Sequence, residues 1–262
     1  MNATANRLAD FSQNARQRFL AREKKPLLVG DWTRALFVHF EVSAEVLQAC
    51  VPFRLDLWEG RAFVSLVAFS MEQLRPGFGG SLGRWLLWLI ASQDFFNLRT
   101  YVQHDGSPGI FFINEWLNNR LSVMSGPCTY GLPYRFARIH YDHSPEKGRL
   151  SGRVGDGFAY TAGIESCASF QPCAVGSLDE FLLERYTAFT RHSRCSRYFD
   201  IWHEPWRQTS VNARVTDDRL LKDNFSWFSQ AQFVGANYSP GVLGVWMGAP
   251  RRIGPITARE KR

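Results

Sequence analysis

The chain has 262 residues, of which 45% are hydrophobic and 15% aromatic, so it can bury a large core and is not an intrinsically disordered protein. Its formal net charge is +7, but the 31 basic residues are dispersed, which is typical of a solvated surface, and we expect no nucleic-acid partner. Five cysteines without a Cys-x-x-Cys pair argue against a disulfide scaffold and a zinc ribbon and favour reduced thiols in a cytoplasmic protein.

The first 26 residues are polar and basic, and we expect a flexible arm there; the alternative is one amphipathic helix through Leu8, Phe11 and Phe19. They contain no apolar segment of the signal-peptide type, so we expect no secretion. The longest apolar run, at 85–91, is far shorter than the roughly 20 residues that a membrane-spanning helix needs. We therefore predict no transmembrane segment and interpret this run as a helix on the core or as a docking surface.

From residue 27 onward, strands and short helices follow one another without a break in composition, so we predict a single domain over 27–256 and a flexible tail over 257–262. We predict strands at 34–42, 55–58, 61–71, 98–104, 110–116, 134–142 and 149–154, with more between 206 and 246. We predict helices at 43–50, at 117–125 and, behind a capping box formed by Ser177 and Glu180, at 178–191. Many short strands favour a mainly β fold of the α+β type, an antiparallel β-barrel with a few peripheral helices.

One predicted strand carries the most informative polar pattern. Asn97, Arg99 and Tyr101 alternate with other residues and therefore share one face of the strand. If that face lines the interior of a barrel, an arginine and a phenol lie in a dry cavity, where a buried arginine must be paired or must bind an anion. Two interpretations stay open: Arg99 contacts a ligand, or Arg99 forms an internal salt bridge that joins two strands.

Known catalytic and cofactor motifs do not occur. The sequence has no Gly-x-Ser-x-Gly, Gly-x-Gly-x-x-Gly or P-loop pattern, and we expect no cofactor. His140 and His143 have neither the spacing of a helical histidine pair nor that of a zinc motif, so we predict no metal site. We interpret Glu115, at the end of an apolar strand, as the acceptor of a structural hydrogen bond.

Several motifs in a fixed order resemble a known superfamily. The segment 40–56 resembles the N-terminal pattern of acetoacetate decarboxylases, in which a strand leads into a short helix that ends in Val-Pro-x-x-Leu, and 126–137 resembles their site segment in register. The segments 56–65, 97–102, 131–135, 181–186, 203–206 and 238–241 resemble the YqjF-like family of uncharacterised bacterial proteins, a domain of unknown function in the same superfamily. The resemblance covers 27–255 and implies an acetoacetate-decarboxylase-like antiparallel β-barrel.

The sequence departs from the decarboxylase pattern where that enzyme carries its chemistry. The resemblance places Tyr134 at the position of the imine-forming lysine and Arg135 at that of the neighbouring lysine. A phenol cannot form an imine, and an arginine is not an amine nucleophile at ordinary pH. The lysines of this chain lie elsewhere, so acetoacetate decarboxylase activity is not expected. The decarboxylase arginine near the first strand aligns with Thr33, and an acidic position of the YqjF-like pattern aligns with Phe95.

These residues predict a protein that binds a small anionic or partly apolar molecule, a carboxylate above all, through Arg99, Tyr101, Tyr134 and Arg135. One alternative is an enzyme with imine-independent chemistry on a small carboxylate, in which Arg135 lowers the pKa of Tyr134 and the phenol acts as acid or base. Another is a structural or protein-interaction module that uses 85–91. The sequence leaves the ligand, the reaction and the formation of a homo-oligomer open.

Overall fold

The computed structural model of the protein describes residues 3–80, 83, 85 and 87–254, with side chains from residue 10 onward. The predicted tail at 257–262 lies outside the described residues. The α-helices are α1 Ala3–Glu23, α2 Ala44–Cys50, α3 Arg120–Thr129, α4 Leu178–Leu183 and α5 Arg219–Asn224. The strands are β1 Leu28–Val42, β2 Arg54–Leu55, β3 Ala62–Pro76, β4 Gln93–His104, β5 Ser107–Leu117, β6 Tyr134–Phe136, β7 Ile139–Ser144, β8 Arg149–Val154, β9 Phe158–Gly163, β10 Gln171–Pro172, β11 Thr187–His192, β12 Cys195–Trp202, β13 Arg207–Ser210, β14 Asn212–Asp217, β15 Gln232–Met247 and β16 Arg251–Arg252.

A closed ring of strands forms the centre of the fold. Its order is β15-β1-β3-β4-β5-β11-β12, and it closes where Ile201 and Trp202 of β12 pair with Met247 and Trp246 of β15. Neighbouring strands of the ring are antiparallel, except for a short parallel contact between β5 and β11. A ring protects its strand edges, because each strand finds a partner on both sides. The prediction of a mainly β fold with an antiparallel sheet and peripheral helices is confirmed.

Buried side chains fill the inside of the ring, and we call this cluster the inner core. It includes Phe37 from β1, Phe63 and Val67 from β3, Phe112 from β5 and Phe199 from β12. Burying one such aliphatic or aromatic side chain stabilises a protein by about 1.5–3 kcal/mol. The inner core therefore holds opposite sides of the ring together.

A second sheet, of order β14-β9-β8-β7, covers the outer face of β1, β3 and β4 and forms a separate outer core. Phe158 of β9 packs against Phe96 of β4, with ring centroids 4.3 Å apart. Strand β3 is consequently buried on both faces from Ala62 to Met71. This double burial explains why its sequence is largely apolar over this stretch, interrupted only by Ser65 and Ser70, instead of alternating.

Two-residue turns follow two of the predicted strands, at 59–60 and at 105–106. Asp105 and Gly106 have φ angles of 48° and 70°, and Glu59 and Gly60 have φ angles of 50° and 77°. Positive φ at both central positions matches the twist of antiparallel strands, and glycine adopts it without strain. The Asp-Gly turn sets the register of β4 and β5, whereas only Trp58 and Arg61 pair across the Glu-Gly turn and β2 pairs with β4 instead of β3.

Two helices differ from their predicted limits. The helix predicted at 178–191 ends as α4 at Leu183, although Ser177 caps it as predicted by accepting a hydrogen bond from the Glu180 amide at 3.2 Å. Residues 187–192 form β11, because the ring needs a strand between β5 and β12 and tertiary pairing overrides helix propensity. The helix predicted at 117–125 begins at Arg120, since β5 continues to Leu117 and Asn119 caps α3.

The N-terminal segment differs from the expected flexible arm. It forms α1, and the Ser12 hydroxyl donates to the carbonyl of His203 at 2.8 Å while the Trp202 indole donates to the carbonyl of Ser12 at 3.1 Å. Phe19 is buried, and the Arg16 guanidinium lies over the Trp202 ring. Polar and cation–π contacts hold this helix against the rest of the protein. Because these contacts need few apolar residues, the sparse apolar spacing of the segment did not predict that the helix packs there. None of the described helices has the length and apolar character needed to cross a membrane.

Candidate functional site

A cavity of about 70 Å³ lies inside the ring, and we call it the inner cavity. Its walls are largely aromatic and aliphatic, with Phe37, Phe69, Phe95, Trp206 and others from the inner core. Its polar side chains are Asn97, Arg99, Glu115 and Tyr134. An apolar cavity with a few convergent polar groups is the usual form of a small-molecule site.

Three of these polar residues form one row across neighbouring strands. Asn97 of β4 pairs with Glu115 of β5, and Glu115 pairs with Tyr134 of β6. Side chains that are paired directly across a sheet are close neighbours. Arg99 lies two residues further along β4, on the same face as Asn97. Four polar side chains thus meet on one patch of the ring interior.

A β-bulge places Glu115 in this row. Ile110 and Phe112 of β5 belong to the inner core, so strict alternation would next bring residue 114 inside. The register between β4 and β5 shifts, however, because Leu98 pairs with Asn114 whereas Arg99 pairs with Phe112. One extra residue in β5 therefore turns Glu115 toward the cavity. The sequence signal was a carboxylate inside an apolar strand, but the pattern alone did not show which face it occupies.

Arg99 is buried without a carboxylate partner. Its Nη2 donates to the carbonyl of Leu182 at 3.1 Å, and its guanidinium lies 5.4 Å from the centre of the Phe37 ring. Among the described residues, none forms a salt bridge with it within 4.0 Å. The arginine therefore does not join two strands through an ion pair, which was one of the two interpretations left open.

Three polar atoms of the inner cavity are buried without a hydrogen-bond partner among the described residues. They are Asn97 Oδ1, Arg99 Nε and Glu115 Oε2. The great majority of buried polar atoms in proteins are hydrogen-bonded, and an unmet one costs about 1–3 kcal/mol. Three such atoms around a single cavity leave one N–H donor, one amide acceptor and one carboxyl oxygen available to a bound molecule.

Burial dominates the ionisation of the acidic groups in the cavity. It raises the pKa of Glu115 well above its usual range, and the positive charge of Arg99 only partly opposes this. Burial also raises the pKa of Tyr134 well above its usual range, and the neighbouring Glu115 and Tyr130 raise it further. The expected lowering of the Tyr134 pKa by Arg135 is therefore wrong. Both shifts favour the protonated forms, which can donate hydrogen bonds.

The structure brings two of the four predicted ligand-binding residues together and separates the other two. Arg99 and Tyr134 line the inner cavity. Tyr101 is fully buried and does not line the cavity. Its hydroxyl donates at 2.9 Å to the carbonyl of Leu182, the same carbonyl that Arg99 contacts. Arg135 follows Tyr134 on β6 and points outward, where its guanidinium donates to Asn224 Oδ1 at 2.6 Å. Adjacent residues of a strand face opposite sides, which explains the separation.

A glycine gives Tyr134 its position. Gly126 lies in α3, and a Cβ atom there would come within 2.2 Å of the Tyr134 ring. The ring therefore packs directly on the helix backbone. The carbonyl of Gly126 also accepts hydrogen bonds from the amides of Tyr130 and Gly131, which shapes the turn leading to β6.

The positions that the decarboxylase and YqjF-like resemblances singled out do not form the decarboxylase site. Thr33 and Arg34 lie at the ring exterior, where the Arg34 guanidinium donates to Ser70 Oγ at 2.9 Å and to Glu72 at 3.4 Å. Phe95 lines the inner cavity, stacked on Phe69 with centroids 5.1 Å apart. The described residues that line this cavity include no lysine. The positive charge inside comes from β4 instead of β1 or β6.

The fold defines the class of this protein. Its architecture is similar to that of an acetoacetate decarboxylase-like enzyme from Sphingomonas wittichii RW1 (16% identity, 88% of this chain and 94% of that chain, TM-score 0.60). It is also similar to acetoacetate decarboxylase from Legionella pneumophila (15% identity, 87% of each chain, TM-score 0.58) and to the enduracididine biosynthesis enzyme MppR (15% identity, 87% of this chain and 89% of that chain, TM-score 0.61). The protein thus has an acetoacetate-decarboxylase-like fold.

Within that class, the chain belongs to DUF2071, a family of uncharacterized conserved proteins whose model matches residues 30–242. It is 30% identical over 191 residues to the uncharacterized protein YqjF of Bacillus subtilis strain 168, which spans 71% of this chain and 76% of that protein. The predicted resemblance to YqjF-like proteins is confirmed.

Proposed function

We propose that the protein binds a small carboxylate inside the ring, with its anionic end at Arg99. The observation that carries this proposal is the set of unpartnered buried atoms on Asn97, Arg99 and Glu115, all at one cavity. A buried guanidinium without a carboxylate partner is costly, and a bound anion supplies the missing partner. MppR, a protein of the same fold, is known in a complex with pyruvate, which is a carboxylate of this kind.

The charge and protonation of the cavity residues favour the binding of an anionic ligand over that of a cationic one. Because burial favours the protonated form of Glu115, which can donate a hydrogen bond, this carboxyl group suits an anionic ligand instead of repelling it. Arg99 Nε donates a second, charge-assisted hydrogen bond. Asn97 Oδ1 accepts, so a hydroxyl or amide hydrogen on the ligand fits beside the carboxylate.

A second candidate function is acid catalysis on the bound carboxylate without an imine, in which a proton passes from the protein to a carbon atom of the ligand. The observation that favours it is the pair Glu115 and Tyr134, paired across β5 and β6, both with a pKa well above the usual range. Carboxyl groups with a raised pKa in a cavity are typical of general acids and bases. In this reaction the bond between the ligand's α-carbon and its carboxylate breaks and carbon dioxide leaves, Arg99 stabilises the resulting enolate, and protonated Glu115 donates its proton to that carbon.

The test is a thermal-shift titration with acetate, pyruvate, lactate and benzoate, each matched with its neutral amide. A ligand at 100 times its Kd stabilises the fold by about 2.7 kcal/mol, which corresponds to a shift of about 5–10 °C for a domain of this size. We expect shifts with the carboxylates that are lost in Arg99→Gln and kept in Arg135→Gln. Equal shifts with the amides, or full binding by Arg99→Gln, would refute the anion site.

Turnover decides between binding and catalysis. Any carboxylate that binds is incubated in deuterated water with native protein and with Glu115→Gln, and NMR follows exchange of its carbon-bound hydrogens or loss of carbon dioxide. Catalysis predicts a reaction in the native protein that Glu115→Gln abolishes while binding persists. Binding without any reaction in the native protein contradicts the second candidate.

A further inference from the structure

A second cavity, which we call the outer chamber, adjoins the inner cavity. Its volume is about 560 Å³, which is within the range of small-molecule sites. The two cavities share Met71, Leu132, Tyr134, Phe199 and Met247 in their linings. The two cavities are therefore adjacent, separated only by these shared side chains, and Arg99 lines the smaller one. Met71 and Met247, which line both cavities, have flexible side chains that can adapt their conformation to a ligand that occupies both.

Apolar side chains dominate the lining of the outer chamber. Leu28, Leu74 and Leu87 are among its walls, and no charged side chain lies among the described residues that line it. The chamber opens to the exterior beside Ser125 and Thr129, which line it and are themselves exposed. A ligand that fills this space needs an apolar body, because a polar one would lose its hydration without gaining hydrogen bonds.

Exposed apolar side chains lie next to the opening. Trp88 and Leu89 directly follow the lining residue Leu87 and are 63% and 54% exposed. Met124, beside Ser125 on α3, is 73% exposed. The Asn119 side chain donates to the carbonyl of Leu89 at 2.7 Å and so joins the two walls of the opening. An apolar chain therefore finds apolar contacts both at the entrance and inside.

We infer that the ligand is an amphiphilic monocarboxylate of the fatty-acid type, with its carboxylate at Arg99 and its unbranched hydrocarbon chain in the outer chamber. This inference rests on the proposed function, because Arg99 binds the anionic end in both. The narrow inner cavity has room for the head group, and the wide apolar chamber receives the chain. Each additional buried methylene raises affinity about fourfold until the chamber is full.

The experiment measures the Kd of hexanoate, octanoate and decanoate by calorimetry, with 1-decanol as the neutral control and acetate as the short-chain control. We expect decanoate to bind roughly 200-fold more tightly than hexanoate. A flat series in which acetate binds as tightly as decanoate would overturn the inference while leaving the proposed function standing. Equal binding of decanoate and 1-decanol would instead overturn the proposed function, because the carboxylate would then contribute nothing.

Two tryptophan variants on α3 locate the hydrocarbon chain. Ser125 lines the outer chamber, whereas Cys128 is exposed on the same helix and does not line it. Ser125→Trp should weaken decanoate binding at least tenfold and leave acetate binding unchanged, while Cys128→Trp should match the native protein for both. Circular dichroism and melting temperature verify that both variants fold. Unchanged decanoate affinity in a folded Ser125→Trp protein would contradict the placement of the chain in the outer chamber.

Discussion

Two buried arginines, Arg99 and Arg185, lie near Tyr101, and they differ in the groups that surround their charge. The Arg185 guanidinium donates to Asp56 at 2.6 Å, its Nε donates to the carbonyl of Phe181 at 2.7 Å, and it lies 4.1 Å from the centre of the Phe181 ring. Arg99 has one backbone carbonyl, one aromatic neighbour and an unpartnered Nε. The Arg185 guanidinium therefore has a carboxylate and a carbonyl as hydrogen-bond partners within the protein, whereas Arg99 keeps one N–H without a partner among the described residues.

The carboxyl groups beside these arginines show the same difference. Glu184 accepts hydrogen bonds from the Tyr186 hydroxyl at 2.7 Å and from the Trp206 amide at 2.8 Å. Glu115 is equally buried, yet its Oε2 has no partner among the described residues. A fold that satisfies one buried polar region and leaves a neighbouring one unsatisfied keeps the second for something other than its own stability. Five substitutions, with their controls, break or sharpen this comparison.

The largest effect is expected where Arg185 loses its carboxylate partner. Asp56→Asn leaves the Arg185 charge buried without compensation and should lower the free energy of unfolding by about 3–5 kcal/mol. Arg99→Leu should cost far less or stabilise the fold, because it removes an unpartnered buried group. Urea unfolding at pH 7 measures both.

Asp142→Asn serves as the control, since its partner Arg149 is 65% exposed and such surface pairs contribute about 0–1 kcal/mol. If Arg99→Leu were as destabilising as Asp56→Asn, Arg99 would be a structural residue and the comparison would fail.

A smaller effect is expected at the helix that supports Tyr134. Gly126→Ala should lower the free energy of unfolding by about 1–3 kcal/mol, because the new methyl group overlaps the Tyr134 ring. It should also weaken carboxylate binding, since Tyr134 lines the inner cavity. Gly163→Ala is the matched control, because a Cβ there meets nothing within 4 Å and φ is not positive. Equal stability of the two variants would show that the ring moves aside freely.

The pH dependence of stability distinguishes Glu115 from its glutamine variant. The folded-state pKa of Glu115 is raised, so the unfolded chain releases this proton first as the pH rises above about 4.5. Stability from this group is therefore fully present below that pH and falls above it, by at most about 1.4 kcal/mol per pH unit. Glu115→Gln should be more stable than the native protein at pH 8, with the gap closing toward pH 4.5.

Glu184 should affect stability in the same direction over a narrower pH range. Its pKa is raised to about 7, so the loss of stability that it causes with rising pH levels off above pH 7. Denaturant titrations at half-unit pH steps measure the native protein and Glu115→Gln. A Glu115→Gln protein whose advantage does not change between pH 5 and pH 8 would contradict the raised pKa.

The smallest effect is expected at Arg135. Its side chain is exposed and contacts Asn224 outside the ring, so Arg135→Ala should change the free energy of unfolding by less than about 0.5 kcal/mol. Carboxylate affinity should also stay the same, in contrast to Arg99→Gln. A tenfold loss of affinity in Arg135→Ala would return this residue to the site that the sequence predicted.

The pattern of single strands allowed part of the site to be predicted. Alternation placed Asn97 and Arg99 on one face, and the structure puts that face inside the ring. The resemblance singled out Tyr134, which lines the same cavity. The same reasoning grouped Arg135 with Tyr134, although neighbours on a strand must face opposite sides. It also gave Glu115 a structural role, because the bulge that turns this carboxylate inward depends on pairing between β4 and β5.

By itself, the sequence determined the strand-rich class, the Asp-Gly turn between β4 and β5, the cap of α4 and the absence of a lysine at the imine position, because each depends on local backbone preference or on residue identity. Only the tertiary structure decided which strands close the ring, that 187–192 is a strand, that α1 docks, and that Glu115 joins Arg99 in one cavity. These features depend on contacts between segments far apart in the chain, where burial and strand pairing outweigh local propensity.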